Sequence, residues 1–195
     1  MPTNFWNNPS VEPKRNFRFL LSISEYPDAT WLVKTADRPK ASVSSVPHQY
    51  INHTFNYPGR LIWNPITITL VDPGAGWSDT TRTIRDFLEK AGYAHPTGDK
   101  GFQNSASALV KKSGTEALGT INIRTLNPKA GKNGLLGNMH YADDWQLHNA
   151  FIQGDIDFGS LDYGNEELLT LSLTFQYDWA TLAQVQGKSG VDYGK

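Results

Sequence analysis

Ile66-Thr67-Ile68-Thr69-Leu70 and, about a hundred residues later, Leu169-Thr170-Leu171-Ser172-Leu173-Thr174-Phe175-Gln176 alternate apolar with hydroxyl or amide side chains. Successive strand residues point to opposite faces, so each segment has one dry face and one wet face. A third segment, Ala150 to Phe158, repeats the design with charge: Gln153, Asp155 and Asp157 alternate with Ile152, Ile156 and Phe158. These segments predict a sheet with one side in a core and one side open. The open side is polar to acidic and almost free of Lys and Arg, a surface that an anion can pass without sticking.

The 195 residues suffice for one well-cored domain. Eighteen basic and 19 acidic residues leave a net charge of -1, so no global positive field gathers nucleic acid or anionic lipid. Without cysteine there is no disulfide framework, thiolate metal site or thiol nucleophile. No run is long and apolar enough to be a signal peptide or to span a bilayer, and the sequence reads as soluble, intracellularly made and independent of membranes.

Outward from the alternating strands, residues 1–13 read as an extended arm, because Pro2, Pro9 and Pro13 forbid a regular helix. Phe5 and Trp6 on that arm call for a partner surface. The body runs from 14 to 182. Phe17 to Ser24 and Trp31 to Thr35 are expected to pair around a turn at Tyr26-Pro27-Asp28. Ser42 to Tyr57 is β-prone, with Tyr50, Asn52, Thr54 and Asn56 alternating with Ile51, His53, Phe55 and Tyr57; Pro58-Gly59 should then turn the chain into Leu61 to Val71. Ser78 to Ala91 predicts a helix, capped by Ser78 or Asp79, striped by Ile84, Phe87, Leu88 and Ala91, and stopped by Gly92. It is expected to pack on the dry side of the sheet.

Residues 96–119 read as an exposed Gly-, Ser- and Lys-rich excursion with a short helix at Ser105 to Lys111. Further strands are expected at Ile121 to Leu126, Ala150 to Phe158 and Glu167 to Trp179, with a flexible loop at Lys129 to Gly137 and an aromatic segment at Tyr141 to Trp145. The tail 183–195 has little to bury. The fold class is thus mainly β, an antiparallel sandwich or barrel with one flanking α-helix.

Pro73-Gly74-Ala75-Gly76 sits between a strand and a helix but lacks both the dinucleotide fingerprint and the P-loop spacing, and reads as a plain turn. Gly131-Lys132-Asn133-Gly134 has no following Ser or Thr. His140, Asp143, Asp144 and His148 lie within nine residues and would suit zinc or iron, yet no two histidines share helical spacing; a solvated loop against another subunit is the reading taken. His48 and His53 read as structural. Asn52-His53-Thr54 matches a glycosylation sequon inside a strand and is discarded. Trp31, Trp63, Trp77, Trp145 and Trp179 could stack sugars, but scattered tryptophans more commonly fill cores or subunit contacts. Lys111-Lys112 with Lys100 is a solvated patch. No cofactor, metal or catalytic residue is expected.

Glu12-Pro13-Lys14-Arg15-Asn16-Phe17-Arg18-Phe19, Phe55-Asn56-Tyr57-Pro58-Gly59-Arg60-Leu61-Ile62-Trp63-Asn64, Val71-Asp72-Pro73, Asp157-Phe158-Gly159-Ser160-Leu161-Asp162-Tyr163 and Tyr177-Asp178-Trp179-Ala180 together resemble the tail tube protein of contractile-tailed bacteriophages of the T-even-like and cyanophage type. The resemblance covers about Pro13 to Leu182. It implies hexameric rings stacked into a tube, with the inner strands of each subunit joining a continuous barrel and DNA passing down the lumen unbound. Asn52, Thr54, Asn56, Thr67, Thr69, Gln153, Asp155, Asp157, Thr170, Ser172 and Thr174 would then line that lumen. Tyr57, Arg60 and Trp145 would join Phe5 and Trp6 in subunit contacts. The implied partners are further copies, a tail sheath protein, and baseplate and tail terminator proteins, in a virion whose subunits are made in the host cytoplasm. The alternatives are a tube subunit or tube initiator of a related contractile injection machine, a carbohydrate-binding β module, and an enzyme using His140, Asp143 and His148.

Overall fold

The computed structural model describes residues 13–73, 79–93, 110–126 and 141–183. Phe5, Trp6, Trp77, His140, both glycine-rich motifs beyond Pro73 and the two termini lie outside them. In chain order the elements are β1 (Phe19–Ile23), α1 (Ala29–Leu32), β2 (Val33–Ala36), β3 (Lys40–Tyr50), β4 (His53–Asn64), β5 (Ile66–Val71), α2 (Thr80–Ala91), α3 (Lys111–Leu118), β6 (Ile121–Leu126), β7 (Tyr141–His148), β8 (Phe151–Asp157), β9 (Thr170–Gln176) and β10 (Trp179–Ala183).

Two four-stranded antiparallel sheets, ordered β1-β6-β7-β10 and β2-β5-β9-β8, share one core, and β3 and β4 form a separate two-stranded hairpin. The alternating segments are neighbours: Ile66, Ile68 and Leu70 of β5 stand opposite Phe175, Leu173 and Leu171 of β9. All six are buried, alongside Leu21, Ile121, Ile123 and Leu147 of the first sheet. Each such side chain contributes about 1.5–3 kcal/mol through burial. The mainly β architecture expected from the alternation is therefore present.

The expected helix forms at Thr80–Ala91, where the Asp79 carboxylate accepts the Arg82 N–H at 2.9 Å and Gly92, at φ 111°, ends it in the left-handed conformation. Ile84 and Phe87 reach the core, and Tyr26 meets Phe87 edge to face. Thr80 is wholly buried: its hydroxyl donates to Val71 O at 3.1 Å and so accepts the Tyr26 hydroxyl at 3.2 Å. The helix thus packs into the core on the dry side of the sheets as expected, and beside it lies α3, which packs in turn on β8.

Several expectations are corrected. The segments before and after Tyr26-Pro27-Asp28 do not pair, because α1 intervenes and β1 and β2 enter different sheets. Part of the excursion over 96–119 is not exposed: a helix forms at Lys111–Leu118, starting where Ser105 to Lys111 was to end, and Ala117 and Leu118 are buried. Glu167 to Trp179 is not one strand. It breaks at the buried Tyr177, where the chain crosses from the second sheet into β10 of the first. Leu61 to Val71 also divides, at Pro65, between the hairpin and β5.

Pro58-Gly59 lies inside β4, at a bulge that shifts the register between Val43 and Ser45. Pro58 has no N–H to give to the ladder, and Ser44 fills the gap by accepting the Arg60 N–H at 3.0 Å. The hairpin turns instead at Ile51 and Asn52, with Ile51 at φ 52°.

Candidate functional site

The open side of the second sheet is built by the β5–β9 register. Thr67 stands opposite Thr174, Thr69 opposite Ser172 and Val71 opposite Thr170, each half-exposed on the face away from the core. β2 adds Thr35 beside Thr69, and β8 adds Asp157 beside Ser172. The strands β5, β8 and β9 contain no Lys or Arg. On these three strands the result is a hydroxyl surface with Asp157 at one margin and no cation for the charge-assisted bonds that would hold a phosphate, while the edge strand β2 carries the exposed Lys34.

The alternation of β8 is broken by a bulge between Ile152 and Ile156, with Gly154 at φ 75°. Gln153 and Asp155 are exposed in the bulge, and Phe158, expected in the dry row, is exposed past the strand end. Asp157 turns its Oδ1 to the Gly159 N–H at 2.9 Å, so part of its charge is shared with its own loop.

Asn52, Thr54 and Asn56 lie on the hairpin, in a different sheet from Thr67 and Thr69, so one chain does not bring the two groups onto one face. Their strand has no dry side: Tyr57, Leu61 and Ile62 are as exposed as Thr54 and Asn56.

Among the described residues the hairpin is held at its base. Gln176 Nε2 donates to Trp63 O at 3.4 Å, the Tyr177 hydroxyl donates to Lys40 O at 3.5 Å, and the Trp63 and Tyr177 rings lie 5.9 Å apart. Burial raises the pKa of the Tyr177 hydroxyl, keeping it a neutral donor, although its bond to Lys40 works the other way. From that base the eleven residues of β3 run roughly 35 Å. Both faces are exposed, with Val43, Val46, Tyr50 and Phe55 among the uncovered apolar side chains and Arg60 exposed between them. A lone two-stranded ribbon is marginally stable in water.

The acidic and histidine cluster is dismantled by its surroundings. Asp143 is buried and accepts Lys14 Nζ at 2.6 Å and Arg38 Nη2 at 3.0 Å. Asp144 lies on the other face of β7, with Oδ1 3.2 Å from Arg124 Nε in an ion pair that lacks hydrogen-bond geometry. His148 stacks on Trp179 at 5.1 Å and bonds Thr181 at 2.8 Å. Among the described residues no group of three or more His, Cys, Asp or Glu is placed to hold a metal.

The tryptophans serve different elements. Trp63 and Trp145 pack against the core, Trp179 stacks on His148, and Trp31 of α1 is exposed. Trp145, expected at a subunit contact, packs against its own core while staying partly exposed. An apolar groove of about 440 Å³ between α2, α3 and β8 has Lys111 and Asp178 among its lining residues. These two bond each other at 2.6 Å, and that bond, with Asn149, holds the Asp178 carboxyl below its ordinary pKa. No helix among the described residues is long and apolar enough to cross a membrane.

No protein-family model and no curated protein matches the sequence. Solved structures do share its fold. A chain in the extended sheath-tube complex of the extracellular contractile injection system PVC superposes with a TM-score of 0.59 at 14% identity, over 90% of this chain and 95% of that one. A chain of the anti-feeding prophage baseplate, symmetrised six-fold, gives 0.58 at 13% identity over 90% and 99%. One from the tube-terminating cap of the same prophage gives 0.58 at 15% over 95% and 99%. The fold assembled here from two sheets and a projecting hairpin is thus a fold found in the particles of contractile injection systems.

Proposed function

We propose that this chain is a structural subunit of the tube of a contractile phage tail, self-assembling into stacked hexameric rings whose inner wall is the open face of the second sheet. The role is mechanical rather than catalytic. The observation that carries the reading is the cation-free row of Thr67, Thr69, Thr170, Ser172 and Thr174, set back to back with the core. Each phosphate that a Lys or Arg neutralises adds affinity by releasing counterions, so a wall of this chemistry lets DNA slide. The exposed hairpin and the free edges of β2 and β8 supply surfaces that assembly would cover, the sheet closing across subunits into a barrel. A sheath around the tube, and baseplate and terminator proteins at its ends, are the partners this role requires. The tube of a related injection machine is the second reading, favoured by the shared fold.

Ser172→Lys separates a DNA-conducting wall from a face that merely meets solvent. Tubes of this variant should assemble as wild type does and retain double-stranded DNA with a steep salt dependence. Variant tubes that hold no more DNA than wild type at low salt would contradict the assignment of this face.

A further inference from the structure

Two segments of one-sided charge stand at opposite ends of the second sheet, the basic one resting on Arg60 because Lys40 pairs with Asp37 at 3.5 Å. From Lys40 to Val71 the chain carries Lys40, Arg60, His48 and His53 and no Asp or Glu. From Asp155 to Leu169 it carries Asp155, Asp157, Asp162, Glu166 and Glu167 and no Lys, Arg or His. Neither Arg60 nor any of these five carboxylates forms an ion pair among the described residues.

The acidic segment is a shaped surface. Asp157 Oδ1 accepts the Gly159 N–H at 2.9 Å, Asp162 Oδ1 the Gly164 N–H at 2.9 Å, and Asn165 Oδ1 the Glu167 N–H at 3.0 Å. Around those turns Leu161, Tyr163 and Leu168 are exposed, with Leu161 and Leu168 lining one hollow beside Asp157, Asp162 and Glu167. Apolar anchors inside a charged rim are the anatomy of a protein–protein contact. The hairpin offers the complement, with Val43, Tyr57 and Leu61 exposed around Arg60.

Their placement decides which molecule supplies the complement. β9 begins at Thr170 beside the acidic loop and ends at Gln176, whose side chain bonds the hairpin base at Trp63. The patches are therefore separated along the sheet by the seven residues of β9, roughly 20 Å. The hairpin base thus joins the sheet at the end far from its own loop. Two different patches that meet between copies make a head-to-tail contact, which repeats along a line.

We propose that the loop 157–168 of one copy receives the β3–β4 hairpin of the next, Arg60 lying against the carboxylate rim and the apolar side chains of both segments closing together. The inference deepens the self-assembly reading and rests on it.

Charge reversal in the full-length protein tests the pairing. Glu166→Lys with Glu167→Lys, and separately Arg60→Glu, should each raise the concentration needed for end-to-end growth by about tenfold or more, read by sedimentation and electron microscopy. These side chains are exposed, so thermal unfolding should match wild type. Combining all three substitutions in one chain should restore growth, because the pair is then present with its signs exchanged. Growth of either reversed variant at the wild-type concentration, or a combined variant that stays defective, would overturn the pairing while leaving self-assembly intact. A wild-type protein that never grows end to end would instead remove the self-assembly reading, and the pairing with it.

Discussion

Leu171 and Thr170 are adjacent in sequence and opposed in role. Leu171 is wholly buried opposite Leu70, while Thr170 stands half-exposed opposite Val71 on the open face. Leu171→Ala should therefore cost about 2–5 kcal/mol by leaving a cavity. Thr170→Ala removes a hydroxyl that water can replace and should cost far less. Denaturant unfolding of the two variants checks this, and equal losses would mean that the two faces are wrongly assigned. At this scale the sequence was informative wherever side-chain period alone fixes direction, as in β5 and β9. It did not announce the bulge around Gln153 and Asp155, which one glycine at positive φ opens. Trp145 packs against the core and stays partly exposed, because a large amphipathic ring can serve a core and a contact at once.

Among elements, the hairpin separates best from the rest of the chain. Its bulge depends on Gly59, where an added Cβ would lie 2.2 Å from Ser44 Oγ and 3.0 Å from Ser44 O. Gly59→Val should deform the hairpin and abolish assembly while the sandwich unfolds with its usual cooperativity, because no core residue lies on β3 or β4 beyond Trp63 at the base. Pairing Gly59→Ala with Ser44→Ala removes the nearer clash and should recover part of the assembly that Gly59→Ala alone loses. Light scattering beside thermal unfolding measures both; a Gly59→Val protein that assembles normally would show that the hairpin is not an assembly element.

Residue chemistry explains how the hairpin was misread. Pro-Gly is a strong turn signal, but here it marks a bulge, whereas the true turn holds Ile51, a β-branched residue in the left-handed region that sequence rules assign to Gly or Asn. Helix α2 was legible because its cap, stripe and stop are local. Helix α3 was not, since its buried face is only Ala117 and Leu118.

For the whole molecule, which strand joins which sheet is a long-range choice that no window of sequence holds. β1 and β2 follow each other yet separate, and β9 and β10 separate at Tyr177. Once the sheets are drawn, the polar rows of β5 and β9 become one surface, and the hairpin and acidic loop fall at opposite ends of it. The account stands or falls on that surface becoming an inner wall. A cryo-electron microscopy reconstruction of the assembled full-length protein tests it most directly. It should show closed rings stacked around a channel, with Thr67, Thr69, Ser172 and Thr174 directed at the axis. A protein that forms no closed assembly, or one whose rings turn this face outward, would contradict it.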